Sequence, residues 1–158
     1  MGRLEVRSGR IAGIVIAVAA IPGCSGPDQS SNEVAQSASA SADSVRAGIE
    51  QVTRAAIEDY NTGDLTHLKA ISCGQLGSEL AEADAKAFAV ESAADRRERG
   101  SGQVIAVDHI KALKEFATAS IQLQYEKGAA GLDARHRVFM SATFQRVDGS
   151  WKICGMHS

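Results

Sequence analysis

Aromatic side chains are scarce in this chain: one Trp, two Tyr and four Phe among 158 residues, or 4%. Aromatics bury the largest area per residue, and much of the 44% apolar content is alanine. A thin core of modest stability is expected. No apolar run reaches the length of about 20 residues that a bilayer span needs; Ile11 to Ile21 stops short. Long basic runs are missing too. Residues 1–23 hold Arg3, Arg7, Arg10 and Glu5, so the remainder has 14 basic and 18 acidic residues and a charge of −4. That balance argues against nucleic acid as a partner. His67, His109, His136 and His157 show no close ligand spacing and no acidic cluster completes a set, so no metal is expected. Gly128-Ala129-Ala130-Gly131 matches no phosphate loop, and Ser72 beside Cys73 is no nucleophile elbow. No cofactor is implied.

What is present begins with an address. Arg3, Arg7 and Arg10 precede the uncharged Ile11–Ile21 run, the pattern of a secretory signal peptide. The run ends in Ile21-Pro22-Gly23-Cys24, which resembles a bacterial lipobox although Pro22 stands where a small or aliphatic residue is usual. In that motif the cysteine thiol takes a diacylglyceryl group, the chain is cut before it, and the new amino terminus is acylated. Two or more acyl chains anchor stably where one is marginal. The expectation is a signal peptide over 1–23, lipidation at Cys24, and location on the outer face of the cell membrane. An ordinary cleaved signal peptide or an uncleaved anchor is the alternative.

Residues 24–43 comprise that cysteine and a Ser-, Ala-, Asn- and Gln-rich stretch that cannot bury enough surface to offset ordering, and are expected to form a disordered tether. Cys73 and Cys154 remain, and in an exported chain such a pair reads as a disulfide; two buried free thiols are the alternative.

Residues 44–158 form the expected globular domain. Val45, Ile49, Val52, Ala56 and Tyr60 mark one face of a helix, with Glu50, Arg54 and Glu58 as i,i+4 ion pairs opposite. Gly63 ends that helix and Asp64 caps a short second one bearing Leu65, Leu68 and Ile71. A third helix is expected from Ser78, with Leu80, Ala83, Ala87, Val90 and Ala94 inward, fraying through a solvated Arg96, Arg97, Glu98, Arg99 end. Beyond Gly102 the apolar period becomes two. Strands are expected over 103–110, 116–127, 135–147 and 151–156, with Asp148-Gly149 as a hairpin turn. Trp151 and Ile153 share a face that Cys154 does not, so either both faces are covered there or a bulge intervenes. Helices followed by an antiparallel meander define an α+β class.

The helix ending Tyr60-Asn61-Thr62-Gly63-Asp64-Leu65, the short helix reaching Cys73, and the final Asp148-Gly149-Ser150-Trp151-Lys152-Ile153-Cys154 strand resemble the nuclear-transport-factor-2-like fold. More narrowly, they resemble the small secreted or membrane-anchored versions from high-GC Gram-positive bacteria. The resemblance implies helices packed on a curved, cone-shaped antiparallel sheet around a pocket, a helix–strand cystine, and a homodimer formed across the sheet.

Enzymes of that superfamily use an acid or base in an apolar pocket. Asp108, His109, Tyr125 and His136 are the strand residues able to supply one, Asp108 on the face of Val104, Ala106 and Ile110. Asp108 and His136 lie near strand ends, where side chains usually reach solvent. The expected function is therefore a non-enzymatic binding or accessory module, holding an envelope protein or small apolar ligand. A small-molecule isomerase, dehydratase or hydrolase is the alternative.

Overall fold

The computed structural model describes the backbone from Ser30 to Ser158 and side chains from Ser41. The signal-peptide, lipobox and Cys24 assignments lie outside the described residues. Among those described, no helix is long and apolar enough to cross a membrane.

The first helix, α1, is Ser30–Thr62. It starts 14 residues before the expected Ser44 and so takes in Ser30–Asp43, which composition had placed in a disordered tether. The stretch contains no internal Pro or Gly, and its alanines propagate a helix once the buried half nucleates it. Within the domain the expected face holds: Ile49, Val52 and Ala56 are buried. Thr53, fully buried, returns its hydroxyl to the Ile49 carbonyl at 2.7 Å. The expected ion-pair ladder is replaced. Arg46 pairs with Glu50 at 3.5 Å, while Arg54 donates to the Val104 carbonyl at 2.8 Å.

Gly63, at φ +76°, turns the chain into α2, Leu65–Ile71, and the Asp64 carboxylate accepts the His67 amide as an N-cap. Where one third helix was expected there are two, α3 (Gly74–Glu82) and α4 (Ala85–Arg99). Ala83 is extended, and Asp84 caps α4 by accepting the Ala87 amide at 2.8 Å. The inward face of α4 also differs. Val90 is 61% exposed, and Ala87 and Ala94 are exposed. Phe88, Ser92, Asp95 and Arg99 turn inward instead, at spacings of 4, 3 and 4.

Four strands follow in a meander of order β1-β2-β3-β4: β1 Gly102–Leu113, β2 Phe116–Tyr125, β3 Arg137–Val147 and β4 Ser150–His157. The inner face carries Ala117, Ala119, Ile121, Leu123, Ala142 and Phe144, as the alternation predicts. Asp148 and Gly149, at φ +51° and +80°, form the two-residue turn expected between β3 and β4. Cys154 is the extra residue in a bulge, since Phe144 faces Ile153 and Thr143 faces Gly155. The bulge resolves the conflict over faces: Ile153 is fully buried while Cys154 reaches Cys73, to which it is disulfide-bonded.

Both sheet edges are partly covered, which shortens the strand edge open to pairing with other chains. Along β1, Arg54 and Asn61 of α1 bond to backbone groups; the Asn61 amide both donates to the Gly102 carbonyl (2.8 Å) and accepts its N–H (3.0 Å). Along β4, Cys73 donates its amide to the Ile153 carbonyl at 2.8 Å beside a parallel Ser72–Ile153 bridge. The result is an α+β domain of four helices packed on one antiparallel sheet.

Candidate functional site

The residues singled out for catalysis do not converge. Asp108 was expected on the face of Val104, but Ile105 is an extra residue between the Val104–Leu123 and Ala106–Gln122 pairs. That bulge reverses the phase of β1. Val107 becomes the buried residue, and Asp108 sits opposite Ser120 on the outer, solvent-facing side. There Asp108 and His109 border an open depression of about 440 Å³ with Phe139 and His157. His136 lies in the turn before β3 at φ +59°; its carbonyl accepts the Tyr125 amide at 2.9 Å. Tyr125 faces the opposite way from Asp108, toward α4, with the Arg99 guanidinium 4.4 Å above its ring.

That second location is a half-buried polar cluster at the C-terminal end of α1. Burial and the neighbouring Asp95 push the Tyr60 hydroxyl up to about 12. Burial likewise raises Tyr125, against the opposing pull of Arg99. Arg99 pairs with Asp95, Phe88 meets Tyr60 edge-on at 5.8 Å, and Arg96 donates to the Asn61 carbonyl at 2.6 Å. The arginine end is thus anchored rather than fraying. Tyr60-Asn61-Thr62-Gly63-Asp64 reads here as a structural corner that ties α1 to α2, α4 and β1.

The site that does assemble is at the other end of the domain. A cleft of about 390 Å³ lies between the N-terminal half of the packed α1, the helix α2 and the β3–β4 hairpin. Helical spacing on α1 brings Ser44, Val45, Gly48, Gln51, Val52 and Ala55 to one wall; α2 gives His67 and Ile71, and the hairpin gives Arg146, Ser150 and Trp151. Gly48 has a specific reason to lack a side chain. A β-carbon there would lie 2.6 Å from Trp151 Cδ1, so the indole occupies that space against the helix.

His67 closes one end of the cleft, and its Nδ1 lies 2.8 Å from both carboxylate oxygens of Asp59. Asp59 is buried, at 7% exposure, four residues beyond Ala55 on α1, while the His67 side chain is 54% exposed. The hydrogen bond to Asp59, and then its charge, raise the His67 pKa above 6.5. Among the described residues Nε2 makes no hydrogen bond, so the ring is held at one nitrogen and open at the other. An imidazole oriented in this way can donate, accept or exchange a proton. Sequence reading noted His67 only as a histidine without ligand spacing. The available signal was the Asn-Thr-Gly-Asp elbow, which folds α2 back so that two residues eight apart meet.

Fold and cleft together define an α+β domain with a lateral cleft of mixed polarity. No family model and no curated protein matches the chain. Among solved structures it is similar to a candidate nuclear-transport-factor-2-like transpeptidase from Campylobacter jejuni. Identity is 12%, the match covers 67% of this chain and 96% of that one, and the TM-score is 0.48.

Proposed function

We propose that this is an exported, lipid-anchored protein of the cell envelope whose domain is a non-enzymatic binding or accessory module. The cleft between α1, α2 and the β3–β4 hairpin is its seat for a small apolar ligand or a segment of a partner protein. The observation that carries the reading is the cleft itself, where Trp151, Val45 and Ile71 stand among polar Ser44, Gln51, His67, Arg146 and Ser150, a concave mixture of apolar surface and orienting polar groups. The export part is supported by the cysteines: Cys73 and Cys154 pair within the domain, leaving Cys24 in its Ile21-Pro22-Gly23 context for acylation.

Detergent-phase partitioning of the expressed protein tests the anchor. The wild type is expected in the membrane and detergent phase, and Cys24→Ser in the aqueous phase; equal partitioning of the two would remove the anchor. Asp59 and His67 favour a second reading, a small-molecule isomerase, dehydratase or hydrolase, because a carboxylate-held imidazole open to a cleft suits proton transfer. In that case the acid–base group is His67 rather than Asp108, His136 or Tyr125.

A further inference from the structure

Charge is unevenly placed around the cleft. Among the described residues no carboxylate lines it, although the chain beyond residue 23 has a charge of −4. Arg146 does line it, with Nε donating to the Gly149 carbonyl at 3.2 Å, which holds the guanidinium over the hairpin turn. Arg146 makes no ion pair among the described residues. It also lines an adjoining groove of about 700 Å³, where Arg46 and Lys114 outnumber Asp43. His67, at the other end, has Asp59 from α1 and Asp64 of its own helix cap as its acidic neighbours, and shares the cleft with Arg146. Between these cations the wall is mixed, with Trp151 and Ile71 as its apolar surfaces among Ser44, Gln51 and Ser150.

We propose that the cleft binds a small amphipathic anion, its carboxylate or phosphate meeting Arg146 and its apolar body lying on Trp151. The proposal rests on the cleft being the ligand seat, and adds the class of ligand. Guanidinium groups recognise both oxyanions by charge-assisted, often bidentate hydrogen bonds. Protonated His67 adds a second favourable charge, so binding weakens as pH rises through its titration.

Trp151 is the chain's single tryptophan, so its emission reports the cleft directly. The chain carrying Cys24→Ser is titrated with octanoate, octyl phosphate, 1-octanol and octylammonium, below the concentration at which each aggregates. Saturable changes are expected with the two anions. The alcohol and the amine should bind at least about tenfold more weakly, the value of one hydrogen-bonded charge. Arg146→Gln should bring octanoate to the level of octanol with an unchanged far-ultraviolet spectrum. His67→Gln should flatten the loss of octanoate affinity as pH rises through the imidazole titration. If octanol or octylammonium binds as well as octanoate, the anion assignment is wrong and the binding cleft survives. Failure of all four probes to perturb Trp151 would remove the cleft as a ligand seat as well.

Discussion

Reduction of the Cys73–Cys154 bridge bears on how a domain with so few aromatic residues is kept folded. The cystine joins residues 81 apart in sequence. The chain-entropy model for a loop of that length gives a destabilisation of about 4.5 kcal/mol at 25 °C on opening it. The folded state loses little directly. Ser72 still bridges Ile153, and Cys73 still donates its amide to the Ile153 carbonyl at 2.8 Å, so most of the effect arises in the unfolded chain. With an unfolding entropy of roughly 0.24 kcal/mol/K for a domain of about 115 residues, the midpoint should fall by about 19 °C. Scanning calorimetry with and without a reductant, beside Cys73→Ala/Cys154→Ala, measures it. Reduced protein and double variant should agree, and the urea m-value should rise as the unfolded ensemble expands. A fall of less than about 5 °C would refute the assignment of the bridge as a major stabiliser.

Three other perturbations separate the parts of the account. Gly48→Ala gains about 1 kcal/mol of helix propensity but forces the indole off α1; a red-shifted Trp151 emission and a net loss of stability are expected, and an unshifted spectrum contradicts the packing. Asn61→Ala removes two bonds to Gly102 and should destabilise by about 1–3 kcal/mol in chemical denaturation, whereas a neutral result would mean the α1–β1 corner is held elsewhere. The His67 pKa is raised on folding, so the Asp59–His67 pair is fully stabilising below about pH 6.5 and its contribution fades as pH rises through the folded value. Asp59→Asn should lower the titration midpoint of the imidazole followed by NMR; an unmoved midpoint would sink the coupling.

How much of this was legible depended on whether periodicity had a single phase. In β2, β3 and β4 the alternation runs unbroken to the bulge, and Asp148-Gly149 is a turn whose left-handed conformations suit those residues. The face of α1 was equally plain, because bulky residues fall on one side. In α4 the alanines lie on both sides, so hydrophobicity could not tell that polar Ser92, Asp95 and Arg99 turn inward. The break at Ala83–Asp84 was marked only by a capping aspartate within an otherwise helical run. In β1, extra residues at Ile105 and beyond Asp108 shift the register without any Gly or Pro to announce them. That shift alone moved Asp108 from the helix side to solvent. The cleft was hidden for another reason: its walls come from α1, α2 and a distant hairpin, and Asp59 meets His67 only once the elbow has folded.

The state of the three cysteines in protein isolated from its native cells tests the proposed placement of this domain most directly. Intact-mass and thiol-alkylation analysis should find a chain beginning at an acylated Cys24, with no reactive thiol before reduction and two after it. A chain that keeps Arg3, Arg7 and Arg10 and shows three reactive thiols without reduction would contradict both the export and the cross-link.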